Sequence, residues 1–212
     1  MRSLTRTTAW TALAVLTLLS WASPARAQNL EEPRARQGYY LAAGVFLYEA
    51  QQWDKHDRAV GVAPGNLFTL RLGQTLTRRW GLGLRFDSGV GKTSGQTRTV
   101  GGLGIEAQYN VIRNLALHGG VGLGFTQIVD PNDLEAEKKG GYGPVLVLGS
   151  SYDLFLTRRL TGGWSIAPTL LVSYLPTDNW RGLWVSVGAQ FQWWSGRPRN
   201  ELILPENEAY KK

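Results

Sequence analysis

The sequence predicts an all-β fold in which eight antiparallel strands close into an up-and-down barrel that crosses a membrane. The clearest signal is residues 183–193, where an apolar face alternates with a polar face that also holds Trp184. Seven further runs alternate in the same way, and 26 glycines without a triplet repeat suit a chain with many tight turns. After residue 27 no stretch approaches the roughly 18 consecutive apolar residues of a helical span. Any membrane crossing is therefore made by strands.

An export signal is predicted at residues 1–27. Arg2 and Arg6 give a basic start, an apolar stretch follows, and Ala25-Arg26-Ala27 is a small-x-small cleavage site. Cleavage after Ala27 lowers Lys+Arg from 23 to 20 against 16 acids, so the mature chain carries about +4. We expect export across the inner membrane, a periplasmic N-terminal segment at 28–38 and a barrel over 39–194.

The predicted strands, in order, are the alternating runs 39–48, 66–77, 80–88, 99–112, 115–128, 142–157, 163–175 and 182–194. Their number is even, as an up-and-down barrel requires. Links of two to five residues at 78–79, 113–114 and 158–162 alternate with longer links at 49–65, 89–98, 129–141 and 176–181. We expect the short turns and both termini in the periplasm and the long loops outside the cell.

The apolar face of each strand is predicted to point outward to lipid. Eight strands with four to six bulky apolar residues each would overfill the narrow interior of an eight-stranded barrel. The opposite face is rich in small and polar residues, which fit such an interior. Two registers stay open, since Gln74 and Ser150 interrupt the apolar face of the second and sixth runs while Val145, Val147 and Phe155 enter the polar face.

Aromatic residues fall near the ends of the strands, where the two membrane interfaces should be. At the short-turn end this girdle comprises Tyr39, Trp80, Tyr109, Trp164 and Trp193, and toward the long-loop end Phe86, Phe125, Tyr142, Tyr174 and Trp180. Ten-residue strands tilted by about 45° span roughly 24 Å, close to the expected apolar band.

Six ionisable side chains are predicted to point into the lumen: Arg71, Arg85, Asp87, Glu106, His118 and Asp153. Buried charges need partners or water, because desolvating a lone charge costs several kcal/mol. We interpret this lumen polar cluster as a plug of salt bridges. The lining of a narrow pore or gate is the alternative.

Residues 39–194 resemble the small outer-membrane barrels of the OmpA, OmpX and OmpW type. The last strand carries the most specific element, the polar-x-Gly-x-x-aromatic-x-aromatic assembly signal at Ser186, Gly188, Phe191 and Trp193. The resemblance implies residence in the bacterial outer membrane among lipids and lipopolysaccharide, with the barrel assembly machinery and periplasmic chaperones as transient partners. The family signal commonly ends the chain, whereas here a polar tail at 195–212 follows it.

A structural or surface-interaction role is the function that the sequence favours, with loops 49–65 and 129–141 as the contact surface of a monomer. The alternatives are a narrow channel and a lipid A-modifying enzyme. His56, Asp87 and Ser88 resemble only distantly the His, Asp and Ser of lipid A palmitoyltransferase. With no cysteine and two histidines we expect no cofactor and no metal. Arg78-Arg79 and Arg158-Arg159 fall at periplasmic turns, so we expect no nucleic-acid partner.

Overall fold

The computed structural model describes residues 36–54, 59–77, 79–93, 95–112, 114–129, 139–156, 162–177 and 180–196. Within these ranges the strands are β1 (Tyr39–Asp54), β2 (Ala59–Thr75), β3 (Trp80–Thr93), β4 (Gln96–Asn110), β5 (Leu115–Val129), β6 (Lys139–Tyr152), β7 (Leu154–Phe155), β8 (Gly163–Pro176) and β9 (Trp180–Trp194). The described residues contain no helix long and apolar enough to cross a bilayer. The predicted signal peptide and the tail beyond residue 196 lie outside the described ranges.

The strands form one antiparallel sheet that closes on itself. Each strand pairs with its sequence neighbour, and β1 pairs with β9 along its whole length. The two-residue strand β7 continues β6 beyond Asp153, and both pair with β8. Counting β6 and β7 as one, the fold is the predicted eight-stranded up-and-down barrel.

The closed barrel has a shear of ten residues. Starting at Leu41 on β1 and moving from each residue to its partner on the next strand, the path returns to β1 at Gln51, ten positions further on. The path is Leu41, Leu72, Leu84, Ile105, Val121, Leu146, Tyr174, Leu183 and Gln51. With strands about 4.8 Å apart and about 3.3 Å of rise per residue, this shear tilts eight strands by roughly 40° from the barrel axis.

Alternation along the strands divides the side chains as predicted. On β1, Val45 and Leu47 are 65% and 72% exposed on the outer face, whereas Phe46 and Tyr48, which alternate with them, are almost completely buried inside. The same division resolves the two open registers. Gln74 and Ser150 lie on the outer face, and Val145 and Val147 are buried inside.

The predicted long loops 49–65 and 89–98 are wrong, because the strands continue through them. Only residues 55–58 separate β1 from β2, and residues 94–95 separate β3 from β4. Outward residues beyond the apolar belt are polar, such as Glu49 and Gln51, so the apolar alternation stops although the backbone ladder goes on. The turns predicted at 78–79 and 113–114 are confirmed in position, but each is four residues long, because β2 and β4 end two residues earlier than predicted.

Candidate functional site

Four of the predicted lumen residues form one ion-pair network in the half of the barrel nearer the short turns. Arg71 from β2 meets Glu106 from β4 at 2.5 Å. The other carboxylate oxygen of Glu106 lies 3.2 Å from Arg85 on β3, and Arg85 also pairs with Asp87 two residues along the same strand, at 2.8 Å. All four side chains are almost completely buried.

Neutral side chains complete the network around Arg71. Its guanidinium donates to the side-chain oxygens of Gln190 at 2.9 Å and Gln108 at 3.0 Å. Arginine carries only donors, so Nδ1 of His118 accepts from Arg71 at 3.0 Å and Nε2–H donates to Oγ of Ser151 at 2.8 Å. His118 therefore joins the network as a hydrogen-bonded neighbour of Arg71.

A second ion pair closes the short-turn end of the lumen. Arg36, in the segment before β1, is fully buried and pairs with Asp153, the residue between β6 and β7. Its guanidinium also donates to Oδ1 of Asn110 at 2.9 Å and to the backbone oxygen of Asn114 at 2.6 Å. The predicted periplasmic segment 28–38 thus sends one side chain into the barrel, which alternation could not reveal because Arg36 lies outside the strands.

In the half of the lumen nearer the short turns, three arginines at positions 36, 71 and 85 face three carboxylates at positions 87, 106 and 153. A fourth buried arginine, Arg98, lies toward the outer end. Each of the six ions near the short turns has at least one opposite partner, which offsets the desolvation cost that a lone buried ion would carry. The predicted residues Arg71, Arg85, Asp87, Glu106 and His118 come together, whereas Asp153 belongs to the separate pair with Arg36.

The half of the lumen nearer the outer hairpins is filled by apolar side chains, which the sequence analysis missed. This interior apolar cluster comprises Phe46, Tyr48, Ala50, Leu67, Val100, Val145, Val147, Leu171, Leu175 and Trp184. The usable signal was bulky residues on the predicted inward face, such as Trp184, which is only 2% exposed. The lumen therefore has a polar half and an apolar half.

Two inward tyrosines lie close to glycines of β2 and β3. A Cβ added at Gly73 or at Gly83 would overlap the Tyr40 side chain, and one at Gly65 would come within 2.7 Å of the Tyr48 ring. Glycine at these positions lets the aromatic rings cover the backbone of β2 and β3. These contacts explain some of the many glycines and leave little free volume along that wall.

One small void and two polar contacts near the outer end complete the described lumen. A void of about 10 Å³ lies beside Arg85 and Asp87, which is room for about one water molecule. Toward the outer end, Gln52 donates to Thr126 at 2.5 Å and buried Arg98 donates to the backbone oxygen of Gly61 at 3.0 Å. Side chains thus fill the described interior.

The predicted aromatic girdle lies on the outer surface at two levels. At the short-turn end Trp80 packs on Tyr109 with ring centroids 4.8 Å apart, and Trp164 lies 6.3 Å from Trp193; Tyr39 is exposed at the same level. Strand tilt places the other level, Phe125, Tyr142 and Tyr174, about 25 Å away along the barrel axis. Phe86 departs from this pattern: it lies beside Leu70 and Leu103 in mid-belt, because β3 continues to Thr93.

The residues of the predicted assembly signal lie on β9, the strand that closes the barrel against β1. Gly188 pairs with Phe46, and a Cβ at Gly188 would press into the β1 backbone. Ser186 is buried inside, whereas Phe191 and Trp193 point outward. Recognition of this strand by assembly machinery stays a prediction.

The residues considered for catalysis are not brought together on one face. Asp87 points into the lumen, where it pairs with Arg85 and accepts a hydrogen bond from Thr69 at 2.8 Å. Ser88, the next residue of the strand, has the opposite orientation and lies on the outer face. His56 lies outside the described residues. Among the described residues, no group of three His, Asp or Glu side chains is placed to hold a metal ion.

No protein-family model matches the chain, and no curated protein matches it by sequence. Among solved structures, the attachment invasion locus protein Ail of Yersinia pestis superposes with a TM-score of 0.55 at 10% identity, over 74% of this chain and 99% of that one. Neisserial surface protein A gives a TM-score of 0.51 at 13% identity, over 75% and 98%. The chain therefore has the fold of the small eight-stranded outer-membrane β-barrel proteins.

Proposed function

We propose that the protein is an integral outer-membrane protein with a structural or surface-interaction role. Its closed barrel is a rigid frame in lipid, and the β1–β2 and β3–β4 hairpins carry polar residues beyond the apolar belt. The observation that carries this proposal is the pairing of an apolar exterior with a filled interior. Because its apolar face is exposed and its lumen is filled, such a barrel is suited to holding its loops at a membrane surface.

The exterior supports membrane residence. Large apolar side chains are exposed on every strand from β1 to β9, among them Leu47 at 72% and Leu123 at 75%. Soluble monomers rarely expose a contiguous apolar patch larger than a few hundred Å². Aromatic levels about 25 Å apart match the apolar band of outer-membrane barrels. Lipid is the solvent that such a surface fits.

The interior favours a frame over a conduit. An ion or solute passing along the axis would have to displace the Arg71–Glu106 pair and the apolar cluster around Trp184. Displacing the first exposes buried charges, and displacing the second opens a packed core. The filled lumen therefore supports a non-conducting barrel.

Membrane insertion and orientation can be tested with single cysteines, since the natural chain has none. Cysteine at Lys92, exposed on the outer hairpin, should react with a membrane-impermeant maleimide in intact cells, whereas cysteine at Ile112, exposed on a short turn, should react only after the outer membrane is opened. Cysteine at buried Thr169 should stay unlabelled until the barrel unfolds. Labelling of Ile112→Cys but not Lys92→Cys in intact cells would show that the orientation in the membrane is opposite to the one proposed.

Barrel closure and conduction need two further measurements on the same preparation. A closed barrel should migrate differently on a gel before and after boiling. In planar bilayers the purified protein should show no steady conductance. Reproducible single-channel steps from the natural protein, lost on boiling, would contradict the non-conducting frame.

A further inference from the structure

The three short turns share a sequence pattern of aliphatic side chains followed by arginine. The pattern is Leu-Thr-Arg-Arg at 76–79, Val-Ile-Arg-Asn at 111–114 and Leu-Thr-Arg-Arg at 156–159. The first two turns also close identically. In each, the first two backbone amides donate to the oxygen of the residue that begins the next strand, Trp80 at 2.8 and 3.1 Å and Leu115 at 3.0 and 3.4 Å. One local structure is thus repeated at the first two turns.

The aliphatic residues of these turns are exposed beyond the aromatic girdle. Leu76, Val111, Ile112 and Leu156 are between 39% and 57% exposed. They follow the strand ends at which Tyr109 and Trp80 mark the lower girdle. The apolar surface therefore continues past the girdle onto the turns.

Charge distinguishes this rim from the opposite one. The links at 76–79, 111–114 and 156–162 contain five arginines and no acid, whereas the links at 55–58, 94–95, 130–138 and 177–179 contain three basic residues and six acids. Arg79, the arginine of this set that the structure describes, is exposed, and its Nη1 donates to the Tyr109 hydroxyl at 3.2 Å. The charge of the remaining four is taken from the sequence.

We propose that the short-turn rim binds anionic phospholipid headgroups. An arginine in a short turn can donate in pairs to phosphate oxygens, and the neighbouring aliphatic side chains would enter the glycerol and upper acyl region. Three turns that together carry five arginines and no acid select lipids of net negative charge over zwitterionic ones. This inference rests on the proposed membrane residence, and it assigns the lipid leaflet at the short-turn end a specific headgroup chemistry.

The test is native mass spectrometry of the full chain folded in a neutral detergent and titrated with phosphatidylglycerol or phosphatidylethanolamine. The natural protein should bind phosphatidylglycerol about fivefold more tightly, the effect of one effective arginine at an anionic surface. The triple variant R78Q/R79Q/R113Q should lose this preference. The matched control K55Q/R58Q/K138Q removes three charges from the opposite rim and should keep it.

Three outcomes would overturn the proposal. They are equal binding of the two lipids by the natural protein, equal loss of preference in both triple variants, and arginine-dependent co-sedimentation with isolated peptidoglycan without any lipid preference. Boiled and unboiled gel mobility confirms that each variant is folded. Because lipid binding is measured in detergent, it can fail while cysteine labelling still shows membrane insertion, so failure of this proposal is distinguishable from failure of the proposed function.

Discussion

The two halves of the lumen fill the same width of barrel by different means. Near the short turns, buried arginines and carboxylates pair around Arg71 and Glu106; near the outer hairpins, Trp184, Phe46 and Leu171 pack as in the core of a soluble protein. Ion pairs need every partner, whereas apolar packing needs only volume. The polar half should therefore tolerate single substitutions less well than the apolar half.

Loss of one carboxylate should have the largest effect. Glu106→Ala leaves Arg71 and Arg85 sharing fewer acceptors inside the barrel, and breaking such a buried pair costs about 3–5 kcal/mol. Urea unfolding in lipid vesicles, followed by gel mobility, measures the change. The double variant R71M/E106L removes both charges and should recover most of the loss. A double variant as unstable as Glu106→Ala would mean that the hydrogen bonds of Arg71 to Gln108, Gln190 and His118 matter more than the ion pair.

Truncation in the apolar half should cost somewhat less. Leu171→Ala removes a buried side chain of the interior apolar cluster and leaves a cavity, for an expected loss of about 2–4 kcal/mol. The same unfolding assay applies. Leu170→Ala, on the half-exposed outer face of the same strand, is the control and should change stability less. Equal losses at both positions would argue against a packed interior.

The contact between tyrosine and glycine can be tested at a single methyl group. Gly73→Ala places a Cβ 2.5 Å from both the Leu82 backbone oxygen and the Tyr40 hydroxyl, and it should destabilise the barrel by about 1–3 kcal/mol. Gly81→Ala is the control, because the nearest heavy atom to a Cβ there is 3.4 Å away. Comparable unfolding midpoints for the two variants would show that the barrel accommodates the added methyl group at Gly73 and that the close contact there is not needed.

A substitution at the edge of the polar network should cause the smallest loss of stability. Ser151→Ala removes the hydroxyl that accepts from His118, a loss of about 1 kcal/mol. Differential unfolding against the natural chain is precise enough if both are measured in the same vesicles. Ser151→Thr keeps the hydroxyl and serves as the control. A loss as large as that of Glu106→Ala would place His118 at the centre of the network.

Alternation was sufficient to predict the fold and the composition of the main ionic network. A period of two assigns Arg71, Glu106 and His118 to one face, and buried charges must then find each other. Alternation could not predict Arg36, which enters the lumen from outside the strands. It also ended β1 too early, since a strand leaving the membrane keeps its backbone ladder after its outward residues become polar.

Closure of β9 on β1 brings the two ends of the barrel segment side by side. The amides of Ser195 and Gly196 donate to the backbone oxygens of Tyr39 and Gln37 at 2.9 and 3.1 Å. A circular permutant that joins Gly196 to Arg36 and opens at Thr77 would therefore keep every strand pairing and the Arg36–Asp153 pair while β2 became the last strand. Such a permutant tests whether the closed barrel can form when β2, rather than β9, is the last strand to be synthesised.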